Sequence, residues 1–275
     1  MRRILSGAIV FLGLLAAASL GTASAADLGV KAPPTPAPWV CPFCGFYAGL
    51  NAGFGITSGD PVNTGTDTGG SGLGSALAVG SIPTTINDNA QGFVGGGQIG
   101  YNWQVVRDWV TGIEADFDGM SAKHTVTTAP AVVCPVGCAP FSTSFDREVD
   151  WFGTLRLKGG FSVMNNALFV YGTAGGAIAQ FGLSNQFVCA GCTPAASTEA
   201  STTNSSKFTR VGGVIGTGLE WMVVPKVSIK AELLYLEVGS SQSTITYNYG
   251  GNTSTLTTTT RNGLTVFRGG LNWYF

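Results

Sequence analysis

The sequence predicts an all-β fold, an up-and-down antiparallel β-barrel of eight strands that spans a membrane. Three observations lead there. The stretch Asn262–Phe275, NGLTVFRGGLNWYF, alternates with period two. Gly263, Thr265, Phe267, Gly269, Leu271, Trp273 and Phe275 share one face; Leu264, Val266, Arg268, Gly270, Asn272 and Tyr274 share the other. Only a strand sends successive side chains to opposite sides in this way. Charged residues are 11% of the 275 and glycine contributes 41, whereas soluble domains carry about 25% charge. Beyond Leu20 no stretch stays apolar for the ~18 residues that a spanning helix needs. Finally, long and short connections alternate between the predicted strands.

The chain opens Met1-Arg2-Arg3, runs apolar from Ile4 to Leu20 and reaches Ala23-Ser24-Ala25. These are the charged, apolar and small-residue parts of a secretory signal peptide, 1–25. An N-terminal membrane anchor is the other reading, and the polar, Pro-rich sequence that follows argues against it. No Cys stands at the cleavage point, so no lipoprotein is expected. Residues 26–44 carry Pro33, Pro34, Pro36, Pro38 and Pro42; they read as an extended periplasmic segment ahead of a barrel over 45–275. Without Arg2 and Arg3 the chain holds 12 basic against 15 acidic residues, a net of about −3. There is no basic stripe, so nucleic-acid binding is not expected.

The predicted strands are Gly45–Ser58, Gln91–Val105, Trp109–Ala122, Asp150–Val163, Leu168–Leu183, Lys207–Val224, Val227–Ser240 and Asn262–Phe275. The connections between them are about 32, 3, 27, 4, 23, 2 and 21 residues long. Short turns on the periplasmic rim and long loops outside are the pattern of a bacterial outer-membrane barrel. A soluble eight-stranded barrel would not place apolar residues on its outer face.

The faces also sort the charges. If odd-numbered residues meet lipid in the second to fourth and sixth to eighth strands, the lumen receives Glu114, Asp116, Asp118, Arg156, Lys158, Glu220, Lys230, Glu232 and Arg268. Arg or Lys on the lipid face at mid-depth would cost about 2–4 kcal/mol. Five acids against four bases suggest pairing across an interior just wide enough for side chains. A wet lumen of solvated charges is the alternative. Trp103, Trp109, Trp221 and Trp273 fall near the short-turn ends. An indole with an apolar ring and a polar N–H belongs at such a membrane interface, ordinary core packing being the other reading.

Several pieces then resemble one family: Gly45-Phe46-Tyr47-Ala48-Gly49-Leu50-Asn51-Ala52-Gly53, Gly97-Gln98-Ile99-Gly100-Tyr101-Asn102-Trp103, Gly112-Ile113-Glu114-Ala115-Asp116, Tyr171-Gly172-Thr173-Ala174-Gly175-Gly176-Ala177, and the C-terminal strand. The chain is similar to the eight-stranded outer-membrane barrels related to the OmpA transmembrane domain, in particular the porin-family surface proteins of alphaproteobacteria. That resemblance implies a place in the cell outer membrane, among its lipid and lipopolysaccharide. It implies insertion by the barrel-insertion machinery, which reads the last strand with Phe275 at the periplasmic rim. It implies a non-enzymatic role in envelope integrity, with loops open to an extracellular ligand. Some relatives bind haemin, so a receptor or a narrow channel is the alternative, and no residue here demands a cofactor. No peptidoglycan-binding domain follows the barrel, so wall tethering is not implied.

Little else carries chemistry. His124 is the only histidine. Some eight-stranded barrels modify lipids with a rim His beside a Ser or Asp. No Ser motif surrounds this one, and it reads as a solvated loop residue past the third strand. Tyr, Met or Cys ligation of a metal or haem stays open. The six cysteines form close pairs, Cys41/Cys44, Cys134/Cys138 and Cys189/Cys192. No His follows either CxxC, so c-type haem attachment is excluded. Local disulfides are expected in an oxidising compartment, with zinc or crosslinks between loops as alternatives. Loops rich in Thr, Ser and Asn, such as Thr257–Thr260, bury little. In them Phe141, Phe145, Phe187, Tyr247 and Tyr249 are candidate contacts for a partner, or ordinary loop packing.

Overall fold

The computed structural model describes residues 41–68, 82–86, 89–128, 141–190, 199–249 and 252–275. They form β1 (Gly45–Ser58), β2 (Val62–Thr68), β3 (Gln91–Val106), β4 (Trp109–Thr127), β5 (Phe141–Val163), β6 (Leu168–Ala190), β7 (Glu199–Val224), β8 (Val227–Tyr249) and β9 (Asn252–Tyr274). All pair antiparallel. Eight of them form a ring, β1-β3-β4-β5-β6-β7-β8-β9, and β9 returns to β1. The seam runs from Tyr47↔Tyr274 to Ser58↔Gly263. Closure is what lipid demands, because an open edge would leave N–H and C=O groups unsatisfied.

The outer surface is apolar. Phe46, Leu50, Phe54, Ile99, Phe117, Leu155, Leu157, Ile215, Leu233, Phe267 and Leu271 are all exposed there. Odd positions face out on most strands, while on β1 and β6 the exposed positions are even, as with Leu50 and Ile178. Trp103, Trp221, Trp273 and Phe275 are exposed at the short-turn end, with Trp109 partly so.

The long-hairpin end departs from expectation in three ways. A ninth strand, β2, lies in what reads as the first long loop, and pairs with β9 from Val62↔Thr259 to Thr68↔Thr253. The Thr/Ser-rich segments are strands, not loops: β5, β7 and β9 begin well before their expected starts, and β6 and β8 run on to Ala190 and Tyr249. Such runs show no apolar alternation, yet threonine suits a strand and the ladder satisfies the backbone. Thr258 and Thr260 are accordingly buried on β9. Phe145 likewise is a core residue, packed with Ile86 and Leu183, rather than a loop contact. Phe141, Phe187, Tyr247 and Tyr249 lie on strands, and their side chains fall outside the described residues.

Bulges redirect this outer half. The register slips between Val149 and Trp151 in β5, and between Glu237 and Ser240 in β8, where Gly239 adopts φ 72°. Each slip reverses which parity points inward. Above them Arg147, Phe145, Ser241, Ser243 and Ile245 are the buried residues. The β7–β8 ladder ends at Gly213↔Glu237, and the upper part of β8 continues with β9 alone. The sheet β8-β9-β2 then meets β5-β6 face to face. Asn185 Nδ2 donates to Thr258 Oγ1 at 3.2 Å, and Thr258 Oγ1 to Asn63 Oδ1 at 2.7 Å. The space left among Phe145, Asn185, Ile245, Leu256 and Thr258 is about 10 Å³, at the lower limit for one water.

Candidate functional site in the barrel lumen

The lumen is filled in layers, and register builds each one. At the short-turn end lies an aromatic floor of Phe43, Tyr47, Val110, Phe169, Tyr171 and Tyr274. Above it stands the charged layer. The ladders set Glu114 opposite Arg156, Glu220 opposite Lys230 and Glu232 opposite Arg268. Opposite residues of an antiparallel pair lie within reach of one another, so opposite charges there attract.

All nine of the charged residues assigned to the lumen are buried, at 7% exposure or less. Glu114 is a hub. Its carboxylate meets Arg156, Lys230 Nζ at 2.9 Å and Lys158 Nζ at 3.5 Å, and accepts from Tyr47 Oη. Arg156 also reaches Asp116 at 2.8 Å and Glu232 at 3.4 Å. Arg268 is the second hub. It binds Asp118, Asp116 at 3.0 Å and Glu232 at 2.9 Å. Lys230 meets Glu232 at 3.1 Å, closing the net. Such geometry is what buried ions require, since Coulomb attraction offsets desolvation only when partners and hydrogen bonds are in place.

Neutral residues complete the layer, and the alternation argument did not single them out. Tyr171 Oη donates to Glu232 at 2.7 Å, and Tyr274 Oη to Glu220 at 2.6 Å. Asn272 Nδ2 reaches Glu220 at 2.7 Å, and Gln98 Nε2 reaches Asn272 Oδ1 at 2.6 Å. Lys158 Nζ lies 4.4 Å from the Tyr47 ring centre and 5.2 Å from that of Tyr171, close enough for cation–π attraction. Both tyrosines have glycine as cross-strand partner: Tyr47↔Gly100 and Tyr171↔Gly218. A Cβ at Gly100 would come within 2.3 Å of the Tyr47 hydroxyl, and one at Gly218 within 2.5 Å of the Tyr171 ring. A tyrosine opposite glycine on a lumen face is thus the signal that could have found them.

The third layer is apolar. Val94, Met120, Ala122, Val149, Phe152, Ala179, Phe181, Val214, Leu234, Leu236, Leu264 and Val266 form one buried cluster. Above it Arg147, fully buried, donates to the carbonyls of Gly59 at 3.3 Å and Arg261 at 3.2 Å, over the Phe181 ring. Sequence reading missed Arg147 because it placed the residue in a loop ahead of Asp150, and the β5 bulge would have reversed its parity in any case.

His124 does not sit in a loop. It is half-buried on β4, opposite Arg147 in register, because β4 runs on to Thr127. Cys41 and Cys44 form a disulfide. Cys134, Cys138 and Cys192 lie outside the described residues; Cys189 lies on β6 rather than in a loop, its side chain also outside them. Among the described residues no cluster of His, Cys, Asp and Glu is arranged to hold a metal.

Comparison with known proteins agrees with this architecture. Residues 13–261 match the family model described as outer membrane protein beta-barrel domain. The chain is 31% identical over 239 residues to a 31 kDa outer-membrane immunogenic protein of Brucella melitensis, covering 84% of this chain and 87% of the relative. The same figures hold for the Brucella suis protein of that name. Among solved structures, the outer membrane protein OprG of Pseudomonas aeruginosa aligns at 12% identity with a TM-score of 0.45, over 84% of this chain and 97% of that one. The chain belongs to the outer membrane protein beta-barrel family, and its place is the bacterial outer membrane.

Proposed function

We propose that this protein is a non-enzymatic, non-conducting barrel that supports envelope integrity and presents its outer strands at the cell surface. The filled lumen carries this reading. Among the described residues the charged layer has each ion paired and the apolar layer above it is buried, which supports a bore closed to water. The relatives' printed name, immunogenic protein, supports exposure at the surface. In this reading 1–25 is removed on export, 26–44 lies in the periplasm, and the insertion machinery reads β9 ending at Phe275. The exposed indoles of Trp103, Trp221 and Trp273 suit the periplasmic interface. The local disulfides Cys134–Cys138 and Cys189–Cys192 belong to the same proposal.

Planar-bilayer recording tests it: purified protein gives no step conductance, and a deletion strain gains detergent sensitivity without losing small-solute uptake. Conductance like that of a general porin overturns it. Replacing His124 by Ala leaves lipid A unchanged; loss of a lipid A modification would favour a lipid-modifying enzyme instead.

A further inference from the structure

Among the described residues, the Cys41–Cys44 turn is a sequence motif that the filled barrel does not by itself explain. Its disulfide closes four residues, and the Cys44 N–H donates to the Cys41 carbonyl at 3.3 Å. Both cysteines are half-buried at the periplasmic end, but Phe43 between them is 0% exposed. The Phe43 ring lies 5.6 Å from Phe169 and 6.4 Å from Tyr274, and the Phe43 carbonyl accepts from Asn102 Nδ2 at 2.9 Å. The two rings that Phe43 covers belong to the floor of the charged layer. Lys158 Nζ is 5.9 Å from the Phe169 ring centre, and Tyr274 Oη binds Glu220. The two cysteines are thus partly accessible, while Phe43 between them is buried against the aromatic floor below Lys158.

We propose that Cys41–Cys44 is a thiol-exchange site whose redox state sets periplasmic access to the lumen, with Phe43 as the stopper. The reacting partner is a dithiol. Its thiolate attacks one cysteine sulfur, the Cys41–Cys44 bond breaks and a mixed disulfide forms. The partner's second thiol then displaces the cysteine. Two electrons have passed, the partner leaves as a disulfide, and Cys41 and Cys44 remain as protonated thiols. The freed turn regains conformations that the crosslink denied it, and Phe43, held otherwise by the Asn102 hydrogen bond to its carbonyl and by packing in the aromatic floor, is released. The apolar layer still closes the barrel above, so reduction exposes the charged layer from below without creating a pore. This inference is independent of the envelope role.

Amine acylation of the folded full-length barrel in detergent, read by peptide mass spectrometry, tests it. In the oxidised protein exposed Lys123 and Lys207 react and Lys158 is protected. Dithiothreitol, or the Cys41→Ser/Cys44→Ser variant, raises Lys158 acylation about tenfold, because labelling follows the population of the open state. Lys123 and Lys207 stay unchanged, and the gel mobility stays that of a folded barrel. Phe43→Ala with the bond intact gives the same rise. The proposal is overturned if reduced protein protects Lys158 as well as oxidised protein does. It is equally overturned if Phe43→Ala leaves Lys158 protected, or if the dithiol cannot reduce the bond in the folded barrel.

Discussion

The charged and apolar layers of the lumen are built on the same strands, one step of two residues apart. Glu232 gives way to Leu234 and Leu236 on β8, and Arg268 to Val266 and Leu264 on β9. A step of two residues is about 7 Å along a strand. Both layers exclude water, by different means. The charged layer holds through partnership: each hub meets several ions of the opposite sign, so losing one strands the others. The apolar layer holds through volume, and tolerates whatever keeps it full.

Removing a hub should break this contrast most severely. Arg268→Ala leaves Asp116, Asp118 and Glu232 short of a cation, and should cost about 3–5 kcal/mol. It would appear as a lower unfolding temperature in heat-shift gels, or as a small new conductance. Arg268→Met keeps most of the volume, so similar destabilisation there would show that charge is what matters. If neither variant unfolds earlier, the network is not holding the barrel. In the apolar layer, Leu236→Ala should cost about 3 kcal/mol through the cavity it leaves, and Leu236→Met much less. A loss as large for the Met variant would contradict filling by volume.

Where the floor meets the charges, Gly218→Val should push on the Tyr171 ring and cost roughly 1–3 kcal/mol by overpacking; pairing it with Tyr171→Ala should recover part of the loss. Tyr171→Phe alone deletes one donor to Glu232, worth about 1.5 kcal/mol, because other partners of that carboxylate remain. Smallest is Lys207→Ala on the outer wall. Hydrogen bonds to Asp150 and Glu148 raise the Lys207 ammonium above its ordinary range. Its contribution is present below the unfolded pKa and lost only as pH rises through the higher folded value. At this exposed site solvent screening leaves little to lose, so unfolding temperatures at pH 7 should match wild type.

Much of this was legible in the chain because period-two alternation is a local property. The strand cores around Trp103, Leu155 and Phe267, the short turns between them, and the assignment of the nine charges to one face all follow from counting residues by parity. The outer half was not legible for the same reason. Around Thr257–Thr260 every residue is equally polar, so only the ladder to β2 and β8 identifies a strand. Arg147, Phe145 and Ile245 point inward because of bulges, and nothing near them in sequence marks where a ladder slips.

The sequence by itself determined the barrel, its closure and, below the bulges, which side chains share a face, because those rest on alternation and on the demand of lipid for satisfied backbone. Tertiary structure alone decided which charges meet, since Glu114 and Lys230 are 116 residues apart and come together only when eight strands are in register. It also decided that Phe43, in a Pro-rich segment with no alternation to read, is buried: its burial depends on Phe169 and Tyr274, brought against it from distant strands.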